Sequence, residues 1–357
     1  MIIDNVWNDL EQRVPLTSEE VALIFSGSFD PHRERLFSVA DALRKKFLGD
    51  EIFLRGIIEF SNACRCECHY CGISAYNTNL HRYRLTDGEI LSTVERAVGM
   101  GFQSFVLQSG EDPLYKAADI CRIVEAIKER FDVAITLSIG EWSREDYSGF
   151  RKAGTDRYLL RIETADPVLY GRFHPHSSWE RRNQCLMDLK DLGFQVGSGI
   201  LVGLPGQDAE SLRCDLEYLR RLEPEMVGIG PFIPHPKTPL ANFPGGTLSD
   251  CLTFLALLRV YLPDAFLPAT TAMGSVDLQG RQKALRAGAN VLMPNVSPVE
   301  NRADYQLYPG KICLSEEAAA CRSCVELMVM KLGRTLNLGK GHISRRKYQT
   351  PQRKLTS

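Results

Sequence analysis

The chain has 357 residues, 44% of them hydrophobic, and a formal net charge of −1. That is enough for one large barrel or two ordinary domains with a substantial core, and it offers no global electrostatic case for nucleic acid or an anionic membrane. The start, Met1-Ile-Ile-Asp-Asn-Val-Trp-Asn8, lacks a basic region followed by an apolar core, and the longest mostly apolar stretch, Cys251 to Leu262, contains Arg259 and is too short to span a bilayer. Eleven cysteines without a secretory signal fit a reducing cytoplasm, where thiols serve metals or sit buried as small core residues.

Residues 1–50 read as a helical extension. Thr17 and Glu20 have the spacing of a capping box, and Arg33–Phe47 is amphipathic. From there on, short β-branched or apolar runs alternate with amphipathic stretches. The expected strands are Gly56–Ser61, Ser104–Gln108, Val133–Ser138, Tyr158–Glu163, Gln195–Val202, Met226–Pro231, Phe266–Thr271 and Asn290–Pro294. Between them the helical stretches are Asp87–Met100, Lys116–Arg130, Arg144–Lys152, Trp179–Leu192, Asp208–Leu222, Thr247–Tyr261 and Leu278–Ala287. Thr86 and Glu89 form a second capping box, and Gly154, Gly193 and Gly288 stop helices just before strands. Strands alternating with helices imply parallel pairing. The expected fold is α/β, a (β/α)8 barrel of the TIM type over residues 51–335, with an open doubly wound sheet as the competitor. Residues 336–357 read as a basic, flexible tail carrying Arg345, Arg346, Lys347, Arg353 and Lys354.

The loop after the first expected strand holds Cys64, Cys66, Cys68 and Cys71. Three of them, Cys64, Cys68 and Cys71, are spaced C-x3-C-x2-C. A 4Fe–4S cluster normally takes four thiolates, so a triplet leaves one iron without a protein ligand, and an open position marks a metal site that does chemistry. Structural zinc usually pairs two well-separated couples instead. Cys66 does not fit the spacing and reads as a bystander. With Tyr70 just before the last cysteine, the loop resembles the signature of the radical S-adenosylmethionine (SAM) superfamily. That resemblance implies a 4Fe–4S cluster whose open iron is chelated by the amine and carboxylate of SAM, and release of a 5′-deoxyadenosyl radical after one-electron reduction.

In a barrel the cysteine loop would lie at the C-terminal mouth, where the other strand ends carry polar residues that an apolar core would not hold. These are Gln108-Ser109-Gly110-Glu111-Asp112, Thr136-Leu-Ser138-Ile-Gly140-Glu141 and Arg161-Ile-Glu163. Period-two alternation places Arg161 and Glu163 on one face. Glu163 suits the ribose or amine of SAM, Arg182 its carboxylate through a bidentate fork, and Arg161 a substrate carboxylate; a structural Arg161–Glu163 pair is the alternative. Tyr70, Gln108, Ser109, Gly110, Thr136, Ser138 and Met226 complete the candidate cofactor set. Glycines within Gly197–Gly206 would let a ligand approach the backbone.

A second three-thiol set, Cys313-x7-Cys321-x2-Cys324, stands near the end. Together with Phe60-Ser-Asn-Ala-Cys64, Leu107-Gln-Ser-Gly-Glu-Asp-Pro113, Leu137-Ser-Ile-Gly-Glu141, Arg157-Tyr-Leu-Leu-Arg161, Val202-Gly-Leu-Pro-Gly-Gln207 and Pro294-Asn-Val-Ser-Pro298, it is similar to the HydE family, the radical SAM maturases of FeFe-hydrogenase. The resemblance covers roughly residues 30–335. It implies a complete barrel around a long cavity and a role in assembling the dinuclear iron subcluster. It also implies an organometallic iron substrate, other hydrogenase maturases and an electron donor as partners, and an auxiliary 2Fe–2S or 4Fe–4S cluster on Cys313, Cys321 and Cys324. Arg161, Thr270, Thr271, Tyr305 and Tyr308 would line the substrate cavity. Radical mutases similar to methylornithine synthase and sulfur-inserting enzymes similar to biotin synthase remain the alternatives, beside a non-enzymatic metal-binding scaffold.

Overall fold

The computed structural model describes residues 2–343; the basic tail expected from Arg345 onward lies outside the described residues. Helices Ile2–Gln12, Ser18–Ile24 and Asp30–Leu48 precede the first strand. The second begins with Thr17 and Glu20 in a reciprocal capping box, and Asp87–Gly99 begins in the same way with Thr86 and Glu89.

Among the described residues nine strands follow in chain order: β1 Glu51–Leu54, β2 Gly56–Ser61, β3 Ser104–Ser109, β4 Ala134–Ser138, β5 Arg157–Leu159, β6 Gln195–Val202, β7 Met226–Pro231, β8 Val291–Leu292 and β9 Thr335–Asn337. Strands β2 to β7 form one parallel sheet in sequential order. The remaining arc of a barrel is drawn with fewer residues than the alternation pattern implies. Of the expected strand Phe266–Thr271 only isolated parallel bridges survive, Met226 with Phe266 and Pro268 with Val291, and a bridge from Ile57 to Asn295 returns the ring to β2. Backbone bonds confirm closure: Phe266 carbonyl accepts from Val227, Val291 from Ala269, and Pro294 from Ile57. The sheet is therefore a closed (β/α)8 barrel, not an open one.

Two departures from the expected boundaries shape the ends of the barrel. The Phe266–Thr271 run stops being extended because Thr270 caps a helix, Thr271–Val276, with its hydroxyl accepting from Met273 N–H. And residues after 335 are not a tail at once: β9 pairs in parallel with β1, itself unforeseen, and β8 flanks β1 on the other side. Arg157, buried at the start of β5, donates to the carbonyls of Lys340 and Gly341 and faces His342 Nδ1 at 3.1 Å. These residues close the barrel's N-terminal end.

The helix Leu248–Tyr261 is buried along almost its whole length, between Asp30–Leu48 and the barrel. Its all-round apolar surface reflects cover on both faces. Its one cation, Arg259, is satisfied by the carbonyls of Gly288, Pro263 and Ala265 and by Asn290 Oδ1. No helix of the described residues is long and apolar enough to cross a membrane.

Candidate active site at the barrel mouth

Strand β2 delivers the cysteine loop to the C-terminal mouth. Its packing there is close. A Cβ on Gly110 would stand 2.3 Å from Ala63 O and 2.7 Å from Cys64 Cβ, and one on Gly72 would stand 2.1 Å from Gln306 O, so both positions admit only glycine. Gly110, expected to touch the cofactor, instead lets the β3 end seat against the loop. Gly72 N–H donates to Leu307 O at 2.8 Å, which ties the loop to the segment 305–312.

The thiols differ by environment. Cys66 is buried and donates to Cys64, which brings the Cys64 thiol down to about 7, and the Cys66 backbone N–H points at Cys64 Sγ from 3.4 Å. Burial pushes Cys71 up to about 12 and Cys68 upward as well, the latter also opposed by the neighbouring Cys71 and Cys64 thiolates. Among the described residues no three His, Cys, Asp or Glu side chains converge tightly enough to ligate one ion. A cluster makes a different demand, one thiolate on each of three separate irons, whose positive charge reverses the cost of ionising buried thiols.

Cys68 and Cys71 form one end of a cavity of about 330 Å³. Of the expected residues, Tyr70, Gln108, Ser109, Ser138, Arg161, Glu163, Arg182, Met226, Thr270 and Tyr308 line it. Four do not: Gly110, described above, and Tyr305, Thr271 and Thr136. Tyr305 is buried behind the wall, hydrogen-bonded to Gln108, with Lys311 Nζ 5.2 Å from its ring centre. Thr271 lies past the wall in the helix that Thr270 caps. Thr136 points into a small void of about 10 Å³ at the opposite, inner end, with Arg55, Arg157 and Met226; alternation placed it one pleat too deep for the mouth.

The Arg161–Glu163 segment departs from the expected geometry. Strand β5 ends at Leu159, and Glu163 returns to pair with Ile200 only by a single bridge, with φ at +65°. That left-handed backbone is costly for a residue with a Cβ and clusters at functional sites. The two side chains still meet, Arg161 Nη2 3.2 Å from Glu163 Oε2, but without hydrogen-bond alignment: Arg161 Nε and Glu163 Oε2 are both buried without a hydrogen-bond partner. Burial pushes the Glu163 carboxyl up, against the pull of Arg161 and Arg182. A carboxylate with spare lone pairs, facing a cavity, is a ready acceptor.

Arg182 is not a free fork. Its Nε donates to Glu141 at 2.6 Å and its Nη1 to Arg161 O at 2.5 Å, so two of its three nitrogens serve the protein. Of its five N–H donors, the second on Nη1 and the two on Nη2 are left for the expected grip. Behind it stand residues that the motifs did not indicate. Tyr70 OH meets His174 Nε2 at 2.8 Å, and His174 stacks on Tyr170 at 4.0 Å. Burial holds the His174 imidazole down to about 3, hence neutral. These residues follow from the helix Pro167–Phe173, which the sequence reading passed over although Asp166 N-caps it and Pro167 opens it.

At the inner end, Arg55 is buried and forms no ion pair with a carboxylate among the described residues. Its Nη1 reaches only Met226 Sδ at 3.1 Å, its Nε has no partner, and its guanidinium stacks 4.8 Å from the Phe266 ring centre. Burial, then the nearby Arg157, pushes its pKa well down. Thr136 Oγ1 is likewise buried and unpartnered. Arg259 shows what a settled buried arginine looks like in this fold; Arg55 is unlike it.

The fold and the site define a radical SAM barrel enzyme, and residues 58–252 match the Radical SAM superfamily. The [FeFe] hydrogenase maturase subunit HydE of Thermotoga maritima is 52% identical over 84% of this chain and 86% of its own length. The 3-methylornithine synthase of Methanosarcina barkeri is 30% identical over 85% and 87%. The crystal structure of methylornithine synthase (PylB) superposes with a TM-score of 0.81 at 27% identity, covering 93% of this chain and 97% of that one. The chain belongs to the HydE family of the radical SAM superfamily.

Proposed function

We propose that this enzyme acts in FeFe-hydrogenase maturation, turning over an anionic organometallic iron substrate held in the barrel cavity. The observation that carries the reading is the 52% identity to a HydE maturase subunit over most of both chains. A 4Fe–4S cluster and SAM, when bound, supply a 5′-deoxyadenosyl radical. Cys64, Cys68 and Cys71 would hold the cluster. Glu163, with its unpartnered oxygen, would accept from the cofactor's hydroxyl or amine groups, and the free edge of Arg182 would face its carboxylate. Gln108, Ser109 and Ser138 would fix its orientation, while Tyr308 and Leu307 exclude water from above. Arg161 and Thr270 would meet substrate, and the uncompensated Arg55 at the inner end supports a substrate that carries negative charge.

The C-terminal set would carry an auxiliary cluster. Cys321 is buried and donates to Cys313, which brings the Cys313 thiol down to about 6, while Cys324 is exposed. Other hydrogenase maturases would deliver the substrate and take the product, and a one-electron donor would serve the mouth. An extract that lacks only this protein tests the reading: adding it with SAM and reductant should restore active FeFe-hydrogenase. Formation of 3-methylornithine without hydrogenase rescue would assign the chain to the mutase chemistry of its more distant relatives.

A further inference from the structure

The loop that follows Pro167–Phe173 brings a second histidine to the cysteines. His176 is exposed, but both of its ring nitrogens face the cysteine segment. The Glu67 backbone N–H donates to Nδ1 at 3.1 Å, and Nε2 stands 4.0 Å from Cys68 Sγ. A backbone N–H can only donate, so Nδ1 must offer its lone pair, and a neutral imidazole whose Nδ1 accepts carries its hydrogen on Nε2. That puts the ring's donor on the nitrogen nearest the Cys68 sulfur. The placement is built rather than incidental. Ser177 Oγ donates to Glu141 Oε1 at 2.8 Å, Ser177 N–H donates to His174 O at 3.2 Å, and Pro175 stiffens the turn between the two histidines.

We propose that His176 is a positioning residue that donates an N–H···S hydrogen bond to the Cys68 thiolate and thereby raises the reduction potential of the bound cluster. The inference rests on the assignment of Cys64, Cys68 and Cys71 as cluster ligands. One electron entering a cluster adds negative charge that is shared with its thiolates. A donor on a ligand sulfur therefore stabilises the reduced form more than the oxidised form, and hydrogen bonds to the sulfurs are among the levers that set such potentials. The tautomer matters: with the Glu67 N–H holding Nδ1, the ring cannot turn to present a lone pair to the sulfur without giving up that bond.

The test is a mediated redox titration of the full, anaerobically reconstituted protein, followed by EPR of the reduced cluster with and without SAM. His176→Phe keeps a ring but removes the donor, and His176→Gln keeps an N–H. The Phe variant should favour the oxidised cluster about tenfold, a midpoint lower by about 59 mV for a one-electron couple, and the Gln variant should recover at least half of that shift. An unchanged midpoint in the Phe variant, or a Gln variant shifted as far as Phe, overturns the proposal. Failure of a folded Phe variant to take up iron also overturns it, because a tuning hydrogen bond is not needed for loading. Failure of the underlying assignment is separately visible: the wild-type cluster signal would then survive Cys68→Ala.

Discussion

Glu163 sits in a left-handed backbone, is largely buried, lines the cavity, and has one carboxylate oxygen without a hydrogen-bond partner. A charge-assisted bond to the cofactor is worth about 1.5–3 kcal/mol. Glu163→Gln should therefore weaken SAM binding about ten- to a hundredfold, while a purely structural pair with Arg161 would lower the melting temperature and leave affinity unchanged. Both are read on one preparation. The turn after Glu163 is fastened by Asp215, which accepts from Ala165 N–H, from Thr164 Oγ1 at 3.0 Å and from Gln207 Nε2 at 3.1 Å. Burial pushes this carboxyl up to about 7, against an ordinary 3.8. Between those values the folded chain holds a proton that the unfolded chain has released. The stability this group contributes is therefore present below about pH 4 and lost as pH rises to about 7, a change on the order of 4 kcal/mol. Thermal melts of cluster-free protein should show the wild type falling relative to Asp215→Asn across that window and running parallel to it above. Parallel curves throughout would place the carboxyl's pKa near its ordinary value. The sequence exposed Glu163 and Arg161 as charges on an inward strand face. It did not expose His174 or Tyr170, nor that Glu141 would hold Arg182, because those roles depend on which loops meet over the mouth.

The elements at the mouth act as two straps. The first is the cysteine loop. Substituting Cys64, Cys68 or Cys71 by Ala should abolish SAM cleavage, whereas Cys66→Ala should retain most of it, since Cys66 only donates to Cys64. A Cys66 variant as dead as the others would mean the ligand set is wrong. The second strap is the segment 305–313, which carries Leu307 and Tyr308 over the cavity. Lys311 fastens it from beneath, with Nζ 2.5 Å from Glu59 Oε1 and 2.9 Å from Tyr305 O, and Glu59 is further held by Asn295 at 2.7 Å. Both side chains are almost fully buried. Breaking such a pair on one side costs about 3–5 kcal/mol, whereas replacing both partners can be neutral. Lys311→Met should accordingly lower the melting temperature sharply and leave more SAM cleavage uncoupled from substrate, and Glu59→Met in the same chain should restore much of the stability. If the double variant melts no higher than the single one, the pair is not what holds the strap. Capping boxes, glycine stops and the thiol triplet made most helices and the first strap legible from local pattern alone. The second strap was not legible: nothing near Lys311 in the chain indicates Glu59, and only closure of the barrel brings them together.

At the scale of the whole molecule, the barrel keeps a cation, Arg55, that no carboxylate among the described residues neutralises. An unpaired buried charge costs stability, so Arg55→Met should raise the melting temperature while weakening substrate binding and maturation activity. A variant that loses stability, or gains it with full activity, would show that Arg55 is structural. Alternation of strand and helix announced the closed barrel, and Arg55 could have been noticed as a charge on the inward face of an otherwise apolar run. On the far arc the extended runs are shorter than alternation implies, because backbone bonds at Phe266, Leu267, Ala269 and Val291 carry the ring there and Thr270 then turns the chain into a helix. The unforeseen β1–β9 pairing has a bearing on how the protein is made. Every barrel strand and every cysteine leaves the ribosome before residues 335–343 do, and domains tend to fold as their N-terminal parts emerge. Until residues 335–343 arrive, β1 lacks its β9 partner and Arg157 lacks the carbonyls of Lys340 and Gly341, so the base of the nascent barrel is unsealed. The chamber becomes a one-ended vessel only after that segment has emerged, which makes sealing a later event of its biogenesis than pairing of the barrel strands.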